Sequence, residues 1–311
     1  MHRAPCWPST TIPGGFDSAL AYTADSDQTV YVQAAGYDAG LTGSYRITVD
    51  PYVPQPYDPL DTIDWGTQLP DPVVRYYFAP PGVAADGYTS EGFNAYEQSR
   101  IAAVFEQIAQ VSGLRFVQTS SRAAADFVLV LDTNESRGEF LGYFNPPGEF
   151  NAGVGVFDAT LWDRTAGGDL EPGGFGMVTI THEVLHGLGL AHPHDTGGTS
   201  AIMGGVFGEY EQYGDHDLNQ GVFTTMTYNS GYFTGAATAQ GATSGRWGFE
   251  TGPMALDIAV LQEKYGANDW FGGDDNVYDL PEANRGGTTW RAIWDTDGVD
   301  TLRHARHGAT R

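Results

Sequence analysis

Four side chains in this 311-residue chain have the types and the spacing to hold and use a metal ion. They are His182, Glu183, His186 and His192, within Thr181-His182-Glu183-Val184-Leu185-His186-Gly187-Leu188-Gly189-Leu190-Ala191-His192-Pro193. On a helix, residues four apart leave the same face, so the imidazoles of His182 and His186 can meet at one ion. Glu183 lies beside that face and reaches a water at the ion without being a ligand. A third histidine continuing the helix would point elsewhere, so the chain has to turn. Gly189 is where it can, because glycine takes the left-handed conformation that ends a helix without a Cβ penalty. His192 then returns to the ion from the far side. Three neutral nitrogens leave a fourth tetrahedral position open to water, which marks a catalytic rather than a structural zinc site.

A chance H-E-x-x-H is expected in roughly one chain in a hundred of this composition, whereas the long form with its glycine and third histidine is expected in roughly three in a hundred thousand. The bland alternative is a set of packed histidines on an amphipathic helix, for which Val184, Leu185, Leu188 and Leu190 supply the apolar positions. A lone histidine would deserve that reading; the whole set does not.

The pattern H-E-x-x-H-x-x-G-x-x-H resembles the zinc-binding signature of the metzincin peptidases. Proline at position 193, directly after the third histidine, is similar to the serralysin branch. His194-Asp195 then opens a loop running to about Tyr213, longer than that branch usually carries; His194 and His216 read as loop residues. Thr224-Thr225-Met226-Thr227-Tyr228 resembles the serralysin Met-turn, usually Ser-x-Met-x-Tyr, with threonine in place of the first serine. The resemblance implies that Met226 forms a hydrophobic base beneath the zinc histidines, where a polarisable thioether suits an irregular gap. It implies that Tyr228 is a weak zinc ligand at rest and an oxyanion donor during reaction.

The elements that must position these residues are legible in the periodicity. Arg75 to Phe78 reads as a short aromatic strand. Ser90 to Ser112 reads as a helix with Ile101, Val104, Phe105, Ile108 and Val111 on one stripe, stopped by Gly113. Leu114 to Gln118 and Asp126 to Leu131 follow as strands, the second nearly continuously apolar, as a strand buried on both faces should be. Gly142 to Phe144 and Gly153 to Phe157 read as two further strands. By the family resemblance, the region Leu141, Gly142, Tyr143 and Phe144 is an edge strand that pairs with the substrate backbone. From the residues alone it is equally an ordinary edge strand. Gly252 to Gly266 reads as a helix resembling the last catalytic-domain helix of serralysins, with its Tyr265-Gly266-Ala267-Asn268 exit.

Outside this block the signals are weaker. Leu20 to Thr23, Thr29 to Ala34 and Ser44 to Val49 alternate like strands, and the Gly43-to-Val49 ending resembles part of the pre-peptidase C-terminal β-sandwich module. Pro51 to Pro72 is rich in Pro and Asp and reads as a linker. Ala292 to Leu302 resembles the first calcium-binding turn of the serralysin β-roll. Asp295, Asp297 and Asp300 would then be calcium donors, with Asp274 and Asn276 as partners from the preceding loop; without the resemblance this is a hydrated acidic turn. Beyond it, Arg303 to His307 is basic and no Gly-Gly-x-Gly-x-Asp repeats follow, which reads as a truncated C-terminus lacking most of a roll and its secretion signal.

The expected fold is therefore α+β: a metzincin catalytic domain at 73–266 with a twisted, mostly parallel sheet and long helices. A partial β-sandwich (1–50), a linker (51–72) and the truncated start of a calcium-binding parallel β-roll (267–311) flank it. A formal net charge of −24, with Lys264 the only lysine, argues against nucleic acid and anionic membranes. The single cysteine, Cys6, excludes an internal disulfide framework and a cysteine zinc site. No apolar run approaches the roughly 18 residues of a membrane span, and Met1 to Thr11 has no apolar core of a signal peptide. The resemblance implies a secreted, monomeric zinc endopeptidase acting on polypeptides, with structural calcium and room for a proteinaceous inhibitor as partner. Two other classes stay open: an inactive metzincin that only binds, and a calcium-dependent surface protein.

Overall fold

The computed structural model describes residues 56–133, 140–158, 160, 162–235, 245–281, 285 and 287–304. The strands expected between residues 20 and 49 lie outside them.

The described chain contains nine strands and three α-helices: β1 (Val73–Phe78), β2 (Ala84–Ala85), β3 (Tyr88–Thr89), α1 (Ala95–Val111), β4 (Arg115–Gln118), β5 (Phe127–Asp132), β6 (Gly142–Phe144), β7 (Val154–Asp158), α2 (Phe175–Gly187), α3 (Ala255–Tyr265), β8 (Val277–Asp279) and β9 (Thr301–Arg303). The main sheet has the order β4-β1-β5-β7-β6. All its pairings are parallel except β6 with β7, which is antiparallel in the register Gly142↔Phe157 to Phe144↔Gly155. This is a mixed α/β architecture with a parallel-dominated sheet.

Central β5 shows why the sequence folds this way. Phe127-Val128-Leu129-Val130-Leu131-Asp132 is buried at every position, because neighbouring strands flank it and both faces of the sheet are covered. Helix α1 presents Ile101, Val104, Phe105, Ile108 and Val111 to the main core, where Phe105 stacks on Phe116 at 4.6 Å. It begins at Ala95, later than the apolar periodicity suggests. Asn94 caps it, accepting the Glu97 amide while the Glu97 carboxylate accepts the Asn94 amide. Upstream, Ser90 is drawn out of the helix by donating its hydroxyl to the Ala79 carbonyl at 2.7 Å.

Helix α2 is different in kind. Every residue from Gly176 to Gly187 is buried, so the helix runs through the core rather than across it. Main-core residues Met177, Ile180, Val184 and Leu185 anchor it. Its C-terminal exit is held by residues 56–72, which the sequence suggests as a linker. There Trp65 donates its amide to the Gly189 carbonyl at 3.0 Å, Ala191 donates to Ile63 at 2.9 Å, and Leu69 donates to the Tyr265 hydroxyl at 3.0 Å. The lone lysine, Lys264, pairs with Asp64 across the same seam. Pro and Asp composition reads as a linker, but Ile63 is fully buried and ties the segment to the core. Among the described residues no helix is long and apolar enough to cross a membrane.

Candidate metal centre

The exit from α2 sets the site. Leu188 donates its amide back to Val184 and Leu185, and Gly189 follows at φ +88°, a left-handed turn that redirects the chain. A Cβ on Gly189 would collide with the Thr67 carbonyl oxygen, so the position requires glycine on both counts. Past this turn His192 comes back over α2.

The three imidazoles then converge. His192 Nε2 lies 3.0 Å from His182 Nε2 and 2.9 Å from His186 Nε2. The opposite ring nitrogens decide what these contacts are. His182 Nδ1 donates to the Thr225 carbonyl (2.8 Å), His186 Nδ1 to the Leu190 carbonyl (2.9 Å) and His192 Nδ1 to the Asp195 carboxylate (2.8 Å). Carbonyls and carboxylates only accept, so each Nδ1 carries a proton and Nε2 is the nitrogen that each ring turns inward to offer a lone pair. Three lone pairs cannot hydrogen-bond one another; a cation between them is what satisfies all three. Burial, reinforced by the neighbouring imidazoles, holds His182 well below the usual histidine range and brings His186 down to about 3, so both stay neutral. Neutral imidazole nitrogen is a borderline donor that suits zinc.

Glu183 is 7% exposed and faces the edge strand. A Cβ on Gly142 would sit 3.0 Å from its Cγ, so β6 approaches this side chain where it has no side chain of its own. Burial raises the Glu183 carboxyl to about 8. Tyr228 places its hydroxyl 3.4 Å from His192 Nε2, with its ring 5.0 Å from the His192 ring. Burial first, then the Glu183 carboxylate, pushes its hydroxyl far above the ordinary tyrosine range, so it remains a proton donor.

Met226 is fully buried in the main core, its amide donating to the Thr224 hydroxyl at 3.1 Å. Just before β6, Leu141 is 40% exposed; on the strand, Phe144 is buried and Tyr143 donates its hydroxyl to Asp86 at 2.8 Å. Among the described residues β6 is the outermost strand on its side of the sheet.

The acidic residues near the C-terminus are not drawn together as the histidines are. Asp295 accepts from the Tyr278 hydroxyl and, at 3.3 Å, from the Asp297 amide, whereas Asp300 accepts from the Asn276 amide at 2.9 Å. Among the described residues, the groups close enough to share an ion are His182, His186 and His192, and a second comprising His192, His194 and Asp195.

Three residues at the centre escape the sequence reading. Asp195 orients His192. His194, which the sequence suggests as a loop residue, has a side chain only 3% exposed, stacked on His192 at 4.7 Å and 14°. Asp257 is fully buried on α3 and holds the backbone of the Thr224–Tyr228 turn. Its only sequence signal is a carboxylate placed one residue before Ile258 in an apolar helix.

A parallel-dominated sheet beside a buried helix that presents two of three converging histidines defines a domain with a candidate three-histidine metal site. No family model matches the chain. Among curated proteins it is similar to the serralysin of Photorhabdus luminescens (25% identity, covering 68% of this chain and 43% of the relative). It is also similar to the serralysin of Proteus mirabilis (31%, covering 54% and 34%) and to serralysin C of Dickeya chrysanthemi (30%, covering 68% and 44%). The chain spans less than half the length of these relatives. Together with the histidine triad, the similarities support a metalloprotease of the serralysin type.

Proposed function

We propose that the protein is an extracellular zinc-dependent endopeptidase that hydrolyses peptide bonds in extended polypeptides. The observation that carries this reading is the convergence of three inward lone pairs from His182, His186 and His192 on one point. When bound there, zinc supplies Lewis acidity that acidifies water and polarises a carbonyl.

The chain's own residues do the rest. His182, His186 and His192 hold the ion as neutral donors, each fixed in its tautomer by Thr225, Leu190 or Asp195. Glu183 acts as the general base: it accepts the proton of the attacking water and passes it to the leaving amine. Burial, which raises the Glu183 carboxyl to about 8, makes it basic enough to take a proton and acidic enough to return it near neutral pH. The Tyr228 hydroxyl donates to the oxygen that gains charge as the carbonyl is attacked. The outer edge of β6 pairs with the substrate backbone, and Gly142 lets β6 itself lie against Glu183.

We further infer that β8 and β9, a parallel pair bridged by Asn276 and Asp300, begin a calcium-stabilised roll to which Asp295, Asp297 and Asp300 contribute oxygens. The serralysin similarity and the net charge of −24 support the secreted reading.

The test is metal analysis combined with caseinolysis. One zinc per chain is expected, with proteolysis lost to a chelator and restored by zinc. Tight zinc binding without turnover of any polypeptide would overturn the endopeptidase reading.

A further inference from the structure

Next to Tyr228 the surface opens into a cleft of about 560 Å³. It is lined by Tyr210, Tyr213, Tyr228, Phe233 and Phe249, and among the described residues Glu211 is the charged one in the lining. Large aromatics seldom stay exposed in one place without a reason, yet Tyr210 is 59%, Phe233 42% and Tyr228 37% exposed. The rings are braced in pairs, Tyr210 against Tyr228 at 5.6 Å and Tyr213 against Phe233 at 5.8 Å.

Glu211 is built into this wall. Its backbone takes φ +58° and its amide donates to Asn229 Oδ1 at 2.7 Å. Asn229 is itself buried, donating to the carbonyls of Gln212 and Asn219, and it directly follows Tyr228. The backbone of Glu211 is therefore tied by one buried side-chain amide to the residue that follows Tyr228. Burial and then Glu211 push the Tyr213 hydroxyl up, so Glu211 adds negative potential at this wall.

We propose that this cleft is a specificity subsite for the side chain of an arginine or lysine flanking the scissile bond. The proposal rests on the endopeptidase reading. Several aromatic faces around one carboxylate are a receptor for a cation on an apolar stem. An aliphatic side chain would desolvate Glu211 without pairing it, and an acidic one would meet like charge. Because Tyr228 both walls the cleft and lies 3.4 Å from His192 Nε2, a substrate bound at the metal centre brings a neighbouring side chain to the opening.

The test uses the zinc-loaded full chain and peptides that differ only in one residue flanking the scissile bond. Arginine and lysine peptides are expected to exceed the leucine peptide in kcat/KM by about tenfold, with the glutamate peptide poorest. Glu211→Gln is expected to remove most of the arginine-over-leucine ratio, and Glu211→Arg to turn the preference towards glutamate. Binding of the same peptides to a zinc-loaded Glu183→Gln chain, followed by fluorescence anisotropy, separates the two readings. Selective binding of the arginine peptide that disappears with Glu211→Gln supports the cleft even if the wild type cleaves nothing, a result that would sink only the endopeptidase reading. Equal binding and equal kcat/KM across the series, or a preference that neither Glu211 variant moves, overturns the cleft.

Discussion

Asp257 fixes Thr225: its carboxylate accepts the Thr225 amide at 2.7 Å and the neighbouring Thr224 hydroxyl at 2.6 Å. The Thr225 carbonyl in turn accepts Nδ1–H of His182, so a residue of α3 sets the tautomer of a ligand on α2. The same carboxylate takes the Met254 amide at 2.8 Å and thereby caps α3. One buried group thus joins helix start, Met-turn and metal centre.

Replacing Asp257 by Asn should weaken two properties at once. The Thr225 and Met254 amides share Oδ2 and the Thr224 hydroxyl takes Oδ1, so an amide whose oxygen keeps the two N–H groups leaves the buried Thr224 O–H without its acceptor, at a cost of about 1–3 kcal/mol in stability. With Thr225 less constrained, zinc affinity should fall by about tenfold or more. Denaturant unfolding and competition with a chromophoric chelator measure the two. Unchanged zinc affinity would mean that Thr225 keeps its place without the carboxylate.

Glu183 and Tyr228 should separate from the histidines by readout. His186→Ala should abolish stoichiometric zinc, whereas Glu183→Gln should keep it and lower kcat by about a hundredfold or more. Tyr228→Phe removes a donor engaged mainly as charge develops, so kcat should drop by about ten- to a hundredfold while KM changes little. Full proteolysis by a zinc-loaded Glu183→Gln chain would remove Glu183 from the role of base.

The centre was legible because its spacing is dictated locally. Residues four apart on one helix face, a glycine exit and a returning histidine are properties of consecutive residues, as are the apolar run of β5 and the stripe of α1. What stayed hidden depends on contacts across the fold. Asp257 reads as a solvated helix carboxylate until the packing of α3 buries it against Thr225. His194 reads as a loop residue because nothing local shows that the turn after Pro193 folds its ring onto His192. The segment before β1 has linker composition, and only Ile63 and Trp65 reaching the α2 exit reveal its packing.

Gly189→Ala tests the turn. A side chain there meets φ +88° and the Thr67 carbonyl together, so the native exit cannot form without displacing the strap at residues 63–67. Destabilisation of about 1–3 kcal/mol or more is expected. His192 should lose its alignment, which zinc titration would register as weaker binding. Thr67→Gly, which leaves the carbonyl where it is, should not rescue the variant.

Glu250 should give the protein a pH-dependent stability independent of the metal centre. It is 2% exposed, and its carboxylate accepts the Gly231 amide, linking the stretch after the Met-turn to the approach to α3. Burial is the largest influence on it; hydrogen bonds from Gly231 and from its own amide oppose burial, and Asp257 adds to it, leaving the carboxyl at about 7. The folded state therefore holds this proton more tightly than the unfolded chain, whose ordinary value is 4.5. Its contribution is fully present below pH 4.5, declines as pH rises through about 7, and is flat above that. Up to about 3 kcal/mol should be lost across that window. Glu250→Gln keeps a neutral acceptor for Gly231, so the difference in unfolding free energy between variant and wild type should shift in favour of the variant as pH rises. Measuring both zinc-loaded proteins by denaturant unfolding at several pH values cancels the other titrating groups. A difference that stays constant with pH would show that Glu250 is ionised in the folded protein throughout.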